Sequence, residues 1–115
     1  MSNYLSEFGK ILMSDVRDRT IRLFDKKLQG TMKDEESRKL YERTLDLNEE
    51  QKKLLEDIIP KVIDLSIHNM LCMFEDHTDF EIVKDGENIV EMSDGLSGEL
   101  YTSDGWIDRY SEQRH

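Results

Sequence analysis

The 115-residue sequence contains few of the residues that crosslink a chain, break its helices or hold it in a membrane. Its one cysteine, Cys72, excludes an intramolecular disulfide, and its one proline is Pro60. No segment approaches the ~18 consecutive apolar residues that a membrane-spanning helix requires. The first residues do not form a basic stretch followed by an apolar one, as a signal peptide would. We therefore expect a soluble, cytoplasmic protein whose residues 1–115 form a single domain.

Positive charge is scarce in the second half of the chain. Residues 61–115 contain four Lys/Arg against thirteen Asp/Glu, whereas residues 1–60 contain twelve against thirteen, within a net charge of −10. Between Val62 and Asp108 the only basic residue is Lys84. This composition argues against binding to nucleic acid, which needs clustered Lys and Arg, and against binding to an anionic membrane surface. It favours a positively charged partner, although an acidic composition also serves solubility alone.

Two helices are predicted before residue 46. Apolar residues at three- and four-residue steps predict the first over residues 3–29, and Gly30 stands where a left-handed C-terminal cap belongs. The second follows Thr31, has acidic residues in its first turn and runs to about Leu45. The apolar stripe predicted for the first helix comprises Tyr4, Phe8, Ile11, Leu12, Val16, Leu23, Phe24 and Leu28.

A third helix is predicted from a capping box, in which Asn48 is followed three residues later by Gln51, to about Glu75. Pro60 lies inside it, and because proline removes a backbone donor and clashes with the preceding turn, we expect a kink or two abutting helices there. Residues 61–75 are apolar nearly all round the helix. This pattern predicts a core element that is buried on most sides.

After residue 79 the hydrophobic pattern indicates strands. Residues 80–83 and 88–92 flank Lys84-Asp85-Gly86-Glu87, which is a hairpin signal. Two Ser-Asp-Gly segments predict turns, with further strands at 96–102 and 106–111. We therefore predict an α+β fold with three N-terminal helices over residues 1–75, the third kinked at Pro60. A small antiparallel β-meander of three to four strands follows over residues 79–111.

Asp64, His68 and Cys72 are spaced four residues apart on the third helix and share one stripe. The set offers a cysteine nucleophile with a histidine base and an aspartate to orient it, and all three residue types are zinc ligands. Cys72 lies near the C-terminus of its helix among acidic residues, and both surroundings disfavour a thiolate. We favour a structural role for the three residues and assign no catalytic residue, metal or cofactor.

A partner-binding surface is predicted in the acidic second half of the chain. An aromatic side chain ringed by carboxylates is suited to a cationic protein partner, and Trp106 is the candidate anchor. A lone tryptophan also serves as a core residue, so both roles stay open for it. The predicted surface consists of Asp94, Glu99, Tyr101, Asp104, Trp106 and Asp108.

A set of short segments within residues 55–111 supports a resemblance to other proteins. These segments are Asp64-Leu65-Ser66-Ile67-His68-Asn69-Met70-Leu71, Glu75, Asp94-Gly95-Leu96, Gly98-Glu99-Leu100-Tyr101 and Asp104-Gly105-Trp106-Ile107. By these residues the chain resembles a group of small bacterial proteins of unassigned function, in a size and charge class that includes immunity proteins, which neutralise the toxin domains of bacterial competition systems. The resemblance implies a stoichiometric binder and supplies no catalytic residues.

Together these features favour a non-enzymatic acidic protein, monomeric or homodimeric, that binds and blocks a basic protein partner. An immunity protein that neutralises a toxin or nuclease domain is the concrete form of this prediction. Two alternatives stay open. One is a small metal-dependent or cysteine-based enzyme that uses Asp64, His68 and Cys72. The other is a regulatory protein that forms homo-oligomers through its long first helix.

Overall fold

A computed structural model describes residues 3–115, and this part of the chain is mostly helical. Three 3-10 and π segments and two short strands complete it. The helices are α1 (Tyr4–Leu12), α2 (Arg19–Leu28), α3 (Glu35–Thr44), α4 (Glu49–Asp76) and α5 (Trp106–Tyr110), with a π-helical segment at Met13–Asp18 and 3-10 segments at Val90–Met92 and Leu96–Glu99. The strands are β1 (Val83–Lys84) and β2 (Glu87–Asn88). Within residues 3–115, no helix is both long enough and apolar enough to cross a membrane.

The first predicted helix is an unbroken helical run from α1 to α2, but its inward face differs from the prediction. The π-helical segment between α1 and α2 widens one turn, so that consecutive residues face the interior. Arg17 and Asp18 are both buried, while Ile11 and Val16, which were predicted to lie in the apolar stripe, are 57% and 41% exposed. The prediction assumed a regular period of about 3.6 residues per turn, so it could not show this change in which residues face the interior. Gly30 has the predicted left-handed conformation, with φ +77°.

The third predicted helix is confirmed as α4, which begins with the predicted capping box of Asn48 and Gln51. It is one continuous helix and does not divide at Pro60. Proline cannot donate to the carbonyl four residues earlier, which here belongs to Glu56. Arg114 donates to that oxygen from Nε at 3.0 Å and from Nη2 at 2.8 Å. A side chain from the end of the chain therefore replaces the hydrogen bond that Pro60 cannot make.

The prediction that residues 61–75 are buried on most sides is wrong. Ile67 and Leu71 are buried, but Val62 and Leu65 are 58% and 56% exposed. The helix packs by one face only, against the π-helical segment, α2 and the 3-10 segment at Leu96–Glu99. Apolar residues on its other face are exposed and lie outside the buried core cluster.

The predicted β-meander of three to four strands is wrong, as is the prediction that all helices precede the sheet. The described residues contain a single two-stranded antiparallel sheet, in which Val83 pairs with Asn88 and Lys84 with Glu87. Its turn is Asp85-Gly86, both with positive φ, as a tight hairpin requires. Residues 96–99 and 106–110, predicted as strands, form a 3-10 segment and α5. Leu96 and Leu100, and likewise Trp106 and Tyr110, recur at the four-residue spacing of a helix.

The main core lies where α1 and α4 meet the C-terminal third of the chain. Trp106 is 1% exposed; its indole packs edge-on against Phe8, with ring centroids 5.8 Å apart, and lies directly over Gly9. A methyl group at Gly9 would stand 2.4 Å from the indole. The buried apolar residues of this core are Leu12, Met13, Ile67, Leu71, Leu96, Leu100, Trp106 and Ile107.

The molecule is elongated, measuring 51 × 29 × 26 Å, and its two ends are built from different parts of the chain. The α1–α2 run and α4 lie antiparallel, since Arg17 contacts Asp64 and Arg114 joins Asp25 to the Glu56 carbonyl. One end holds α3, which packs on α2. The other end holds residues 75–100, which pack on the start of α1 and the last turns of α4. Residues 101–108 lead back toward the middle of α4, where Tyr101 and Asp108 line a groove with Lys61 and Asp64.

We predict that Gly9→Val destabilises the fold, because the added side chain overlaps the indole of Trp106 in a filled core. The free energy of unfolding should fall by about 3 kcal/mol in urea denaturation followed by tryptophan fluorescence. Gly98→Val is the matched control, since a Cβ at Gly98 has no neighbour within 4 Å. The control should change stability by less than about 0.5 kcal/mol. Equal losses in the two variants would contradict the packing of Trp106 on Gly9.

Candidate functional site

The negative charge of the protein is concentrated at one end. Residues 75–108 contain eleven Asp/Glu and one Lys, so their net charge of −10 equals that of the whole chain. We call this segment the acidic end. Its single lysine does not neutralise it: the Lys84 ammonium bonds Glu7 of α1 at 3.2 Å. This bond raises the pKa of Lys84. Among residues 3–115, one basic residue outside the acidic end lies within salt-bridge distance of a carboxylate of the acidic end. It is His115, whose Nδ1 is 3.7 Å from Asp108.

The predicted partner-binding carboxylates all belong to the acidic end, but they fall into separate groups. Asp94 is exposed, and its neighbour Ser93 donates to Glu99 at 3.0 Å, so Glu99 lies beside the segment that carries Asp94. Asp104 is exposed in the loop before α5. Asp108 lies farther along, where it lines a shallow groove with Lys61, Tyr101 and His115. The structure therefore places Glu99 near the Asp94 segment and Asp108 beside Tyr101 and a lysine.

Trp106 does not belong to the surface. Only 1% of it is exposed, and it fills the core between Phe8, Gly9 and the last turns of the fold. The prediction of Trp106 as an exposed anchor is therefore corrected to a core role. Phe80 and Tyr101, which are 62% and 51% exposed, are aromatic side chains that the acidic end exposes, and of the two Tyr101 lies beside the predicted carboxylate Asp108.

Tyr101 stands above His68, with ring centroids 5.3 Å apart. Partial burial raises the pKa of Tyr101 above its ordinary value, and the negative charge of Asp64 raises it further. The phenol therefore stays neutral to higher pH than a free tyrosine does. Tyr101 thus contributes a neutral donor and an aromatic face to the groove that it forms with Asp108.

The Asp64, His68 and Cys72 stripe is present on α4, but its members do not act on one another as a relay. Both oxygens of Asp64 are taken by Arg17, with Nε–Oδ1 at 2.6 Å and Nη2–Oδ2 at 3.2 Å. The Nε2 atom of His68 contacts the Cys72 sulfur at 3.6 Å, and its Nδ1 is buried without a hydrogen-bond partner in the described structure. Within residues 3–115 no three His, Cys, Asp or Glu side chains are grouped to hold a metal ion.

The Arg17–Asp64 pair is the centre of a buried polar network that the sequence did not indicate. Arg17 is fully buried and also donates to the Ser111 hydroxyl at 2.7 Å and to the Arg114 carbonyl at 2.9 Å. Ser111 donates to Asp18 at 2.5 Å, and the backbone N–H of Glu112 donates to the same carboxylate at 2.9 Å. This network fixes residues 111–114 between the two long helices. No local motif in the sequence joins residues that lie so far apart.

Comparison with protein-family models, with curated proteins and with solved structures finds no match for this chain.

We predict that Asp64→Leu lowers the free energy of unfolding by about 3 kcal/mol, because the buried Arg17 guanidinium loses the carboxylate that accepts two of its hydrogen bonds and keeps only Asp18, at 4.0 Å, as a counter-charge. The double variant Arg17→Met with Asp64→Leu should recover part of that loss, since it removes both members of the pair, while Asp18 keeps its hydrogen bonds from Ser111 and the Glu112 N–H. Urea denaturation of the two single variants and the double variant completes the cycle. Additive losses would show that the pair is not coupled.

We predict that Tyr101 ionises at a higher pH than a free tyrosine does during alkaline titration. Its folded pKa is raised, so the stability that it contributes is complete below its unfolded pKa near 10 and is lost as pH rises through the folded value. Absorbance at about 295 nm should show a late phase above pH 10 that Tyr101→Phe removes. Tyr110→Phe is the control and should leave that phase in place. Its persistence in Tyr101→Phe would contradict the assignment.

Proposed function

We propose that this protein is a non-enzymatic binding protein, working in the cytoplasm, whose acidic end docks on and blocks a basic protein partner. One observation carries the proposal: residues 75–108 have a net charge of −10, equal to that of the whole chain, and nine of their eleven carboxylates lie in residues 75–100, at one end of a molecule 51 Å long. For solubility, negative charge spread evenly over the surface would serve as well as negative charge gathered at one end. Segregation of the charge to one end creates a directional field, which serves recognition.

The use of the cations elsewhere in the fold supports the same proposal. Arg17 forms a buried ion pair with Asp64, and Arg114 is bound to Asp25 by two hydrogen bonds at 2.8 and 3.0 Å. Lys84 is directed to Glu7. The exposed carboxylates at Asp94 and Asp104 are left without a counter-ion from the described residues. They are therefore free to meet the cations of another molecule.

The partner that fits this surface carries clustered Lys and Arg, as do proteins that act on nucleic acids. Carboxylates of the acidic end would stand where the phosphates of the nucleic acid stand, and the bulk of the domain would close the cleft. Long-range attraction would accelerate association, and no turnover is involved. An immunity protein that neutralises a toxin or nuclease domain works in this way, and we propose this class for the chain.

We predict that charge reversal at the acidic end weakens binding of the partner at least ~10-fold, because it removes and inverts the attraction. The test variant is Asp94→Lys with Asp104→Lys. The matched control is Glu42→Lys with Asp46→Lys, which changes the net charge equally at exposed positions of the opposite end. Each protein is immobilised as bait in host extract at low salt. Proteins that bind the wild type and are released by salt are identified by mass.

The purified partner then serves as the probe for kinetics. Its association rate constant with the wild type and the control should fall at least ~10-fold between low and high salt, because ions screen the long-range field. The acidic-end variant should associate slowly at every salt concentration. Circular dichroism must show that it remains folded. A partner without excess positive charge, or equal losses in the two variants, would contradict the proposal.

A further inference from the structure

Helix α4 carries a second apolar stripe that faces away from the core. Leu54, Ile58, Val62 and Leu65 are 58%, 42%, 58% and 56% exposed, and Met73 continues the stripe at 46%. None of them belongs to the buried core cluster. They recur at the three- and four-residue steps by which one helix face contacts another helix. We call these five residues and the exposed Asn69 between them the outer stripe.

The outer stripe lies opposite the face by which α4 joins the fold. The buried residues of α4 are Pro60, Asp64, Ile67 and Leu71. At 100° per residue, this set and the outer stripe point to opposite sides of the helix. From residue 54 to residue 73 the stripe extends about 29 Å along the helix. An exposed apolar surface of this extent is typical of a protein–protein contact.

The spacing of the outer stripe is the same in both directions. Its positions are 54, 58, 62, 65, 69 and 73, with steps of four, four, three, four and four. Two such stripes aligned antiparallel therefore coincide position by position: Leu54 stands opposite Met73, and Val62 opposite Leu65. This is the self-complementarity that a two-fold symmetric interface between identical chains requires. A different partner protein would not require it.

Charge favours the antiparallel arrangement over the parallel one. Residues 19–60, which include α2, α3 and the first half of α4, contain ten Lys/Arg and ten Asp/Glu and have no net charge. Antiparallel pairing places the acidic end of one copy beside this neutral end of the other. Parallel pairing would place two segments of net charge −10 side by side. The helix dipoles of α4 also oppose one another favourably only when the helices are antiparallel.

We propose that the protein forms a two-fold symmetric homodimer in which the outer stripes of two α4 helices pack antiparallel, centred between Val62 and Leu65. The dimer carries its two acidic ends at opposite extremes, where both remain accessible. The inference does not depend on the proposed function, because it uses a different face of the molecule.

The first test is the mass of the full chain in solution by sedimentation equilibrium from about 1 to about 300 µM, a range that brackets ordinary dimer affinities. The wild type should approach twice the 13.6 kDa chain mass. Leu65→Glu should raise the dimer dissociation constant at least ~30-fold, because it places a charge at the centre of the contact. Ile11→Glu is the control, since Ile11 is equally exposed, at 57%, on another helix and the net charge changes equally.

The second test determines orientation. A spin label is attached through Glu50→Cys in a Cys72→Ser background, and the distance between the two labels in the dimer is measured. Antiparallel pairing places the two labels about 40 Å apart, whereas parallel pairing brings them within about 25 Å. A short distance would overturn the arrangement. A monomer at every concentration would overturn the dimer and assign the stripe to a different protein, and equal losses in Leu65→Glu and Ile11→Glu would overturn the assignment to α4.

Discussion

The buried ion pair between Arg17 and Asp64 is the constraint on which the arrangement of this fold depends. It joins the two long helical runs at their middle, where neither charge contacts water. Two buried charges are tolerated only when all their hydrogen-bonding positions are used. The π-helical turn makes this possible, because it directs Arg17 and Asp18 inward together. Ser111 and the Arg114 carbonyl complete the set, so the pairing of the helices and the path of residues 111–114 are fixed by the same atoms.

The positions of the cations explain how a chain with sixteen Lys/Arg can still present a strongly acidic end. Arg17 and Arg114, near the middle of the molecule, are bound internally, Lys61 lies in the groove of Asp108, and most of the rest lie toward α3. The two halves of the sequence differ in charged-residue composition. Because of the fold, the two ends of the molecule differ in net charge. Electrostatic attraction over a Debye length of about 8 Å then acts on one end without cancellation from the other.

Local signals in the sequence were sufficient for the helices of the first 76 residues. The capping box at Asn48 and the left-handed Gly30 mark helix boundaries by local chemistry, and both are confirmed.

Prediction failed where the outcome depends on tertiary contacts. The segments around Leu96 and Trp106 were too short for their period to distinguish strand from helix, and the core of α1 and α4 decided in favour of helix. The π-helical turn and the long-range polar network have no local signature, so the burial of Arg17 and the exposure of Val16 could not be foreseen. The amino-acid composition indicated which segment carries the acidic candidate surface. It could not show that Trp106, one of the predicted surface residues, is buried.

The two hydrogen bonds from Arg114 to the Glu56 carbonyl have a consequence for how the molecule folds and opens. They join residues that are 58 positions apart in the sequence. They give the Glu56 carbonyl the hydrogen-bond donor that Pro60, in the longest helix, cannot provide. The middle turns of α4 and the last residues of the chain therefore belong to one cooperative unit. If residues 111–115 detach, a carbonyl within a helix loses its donor and must recruit water instead. Fraying at the terminus is thereby coupled to hydration in the interior of the helix.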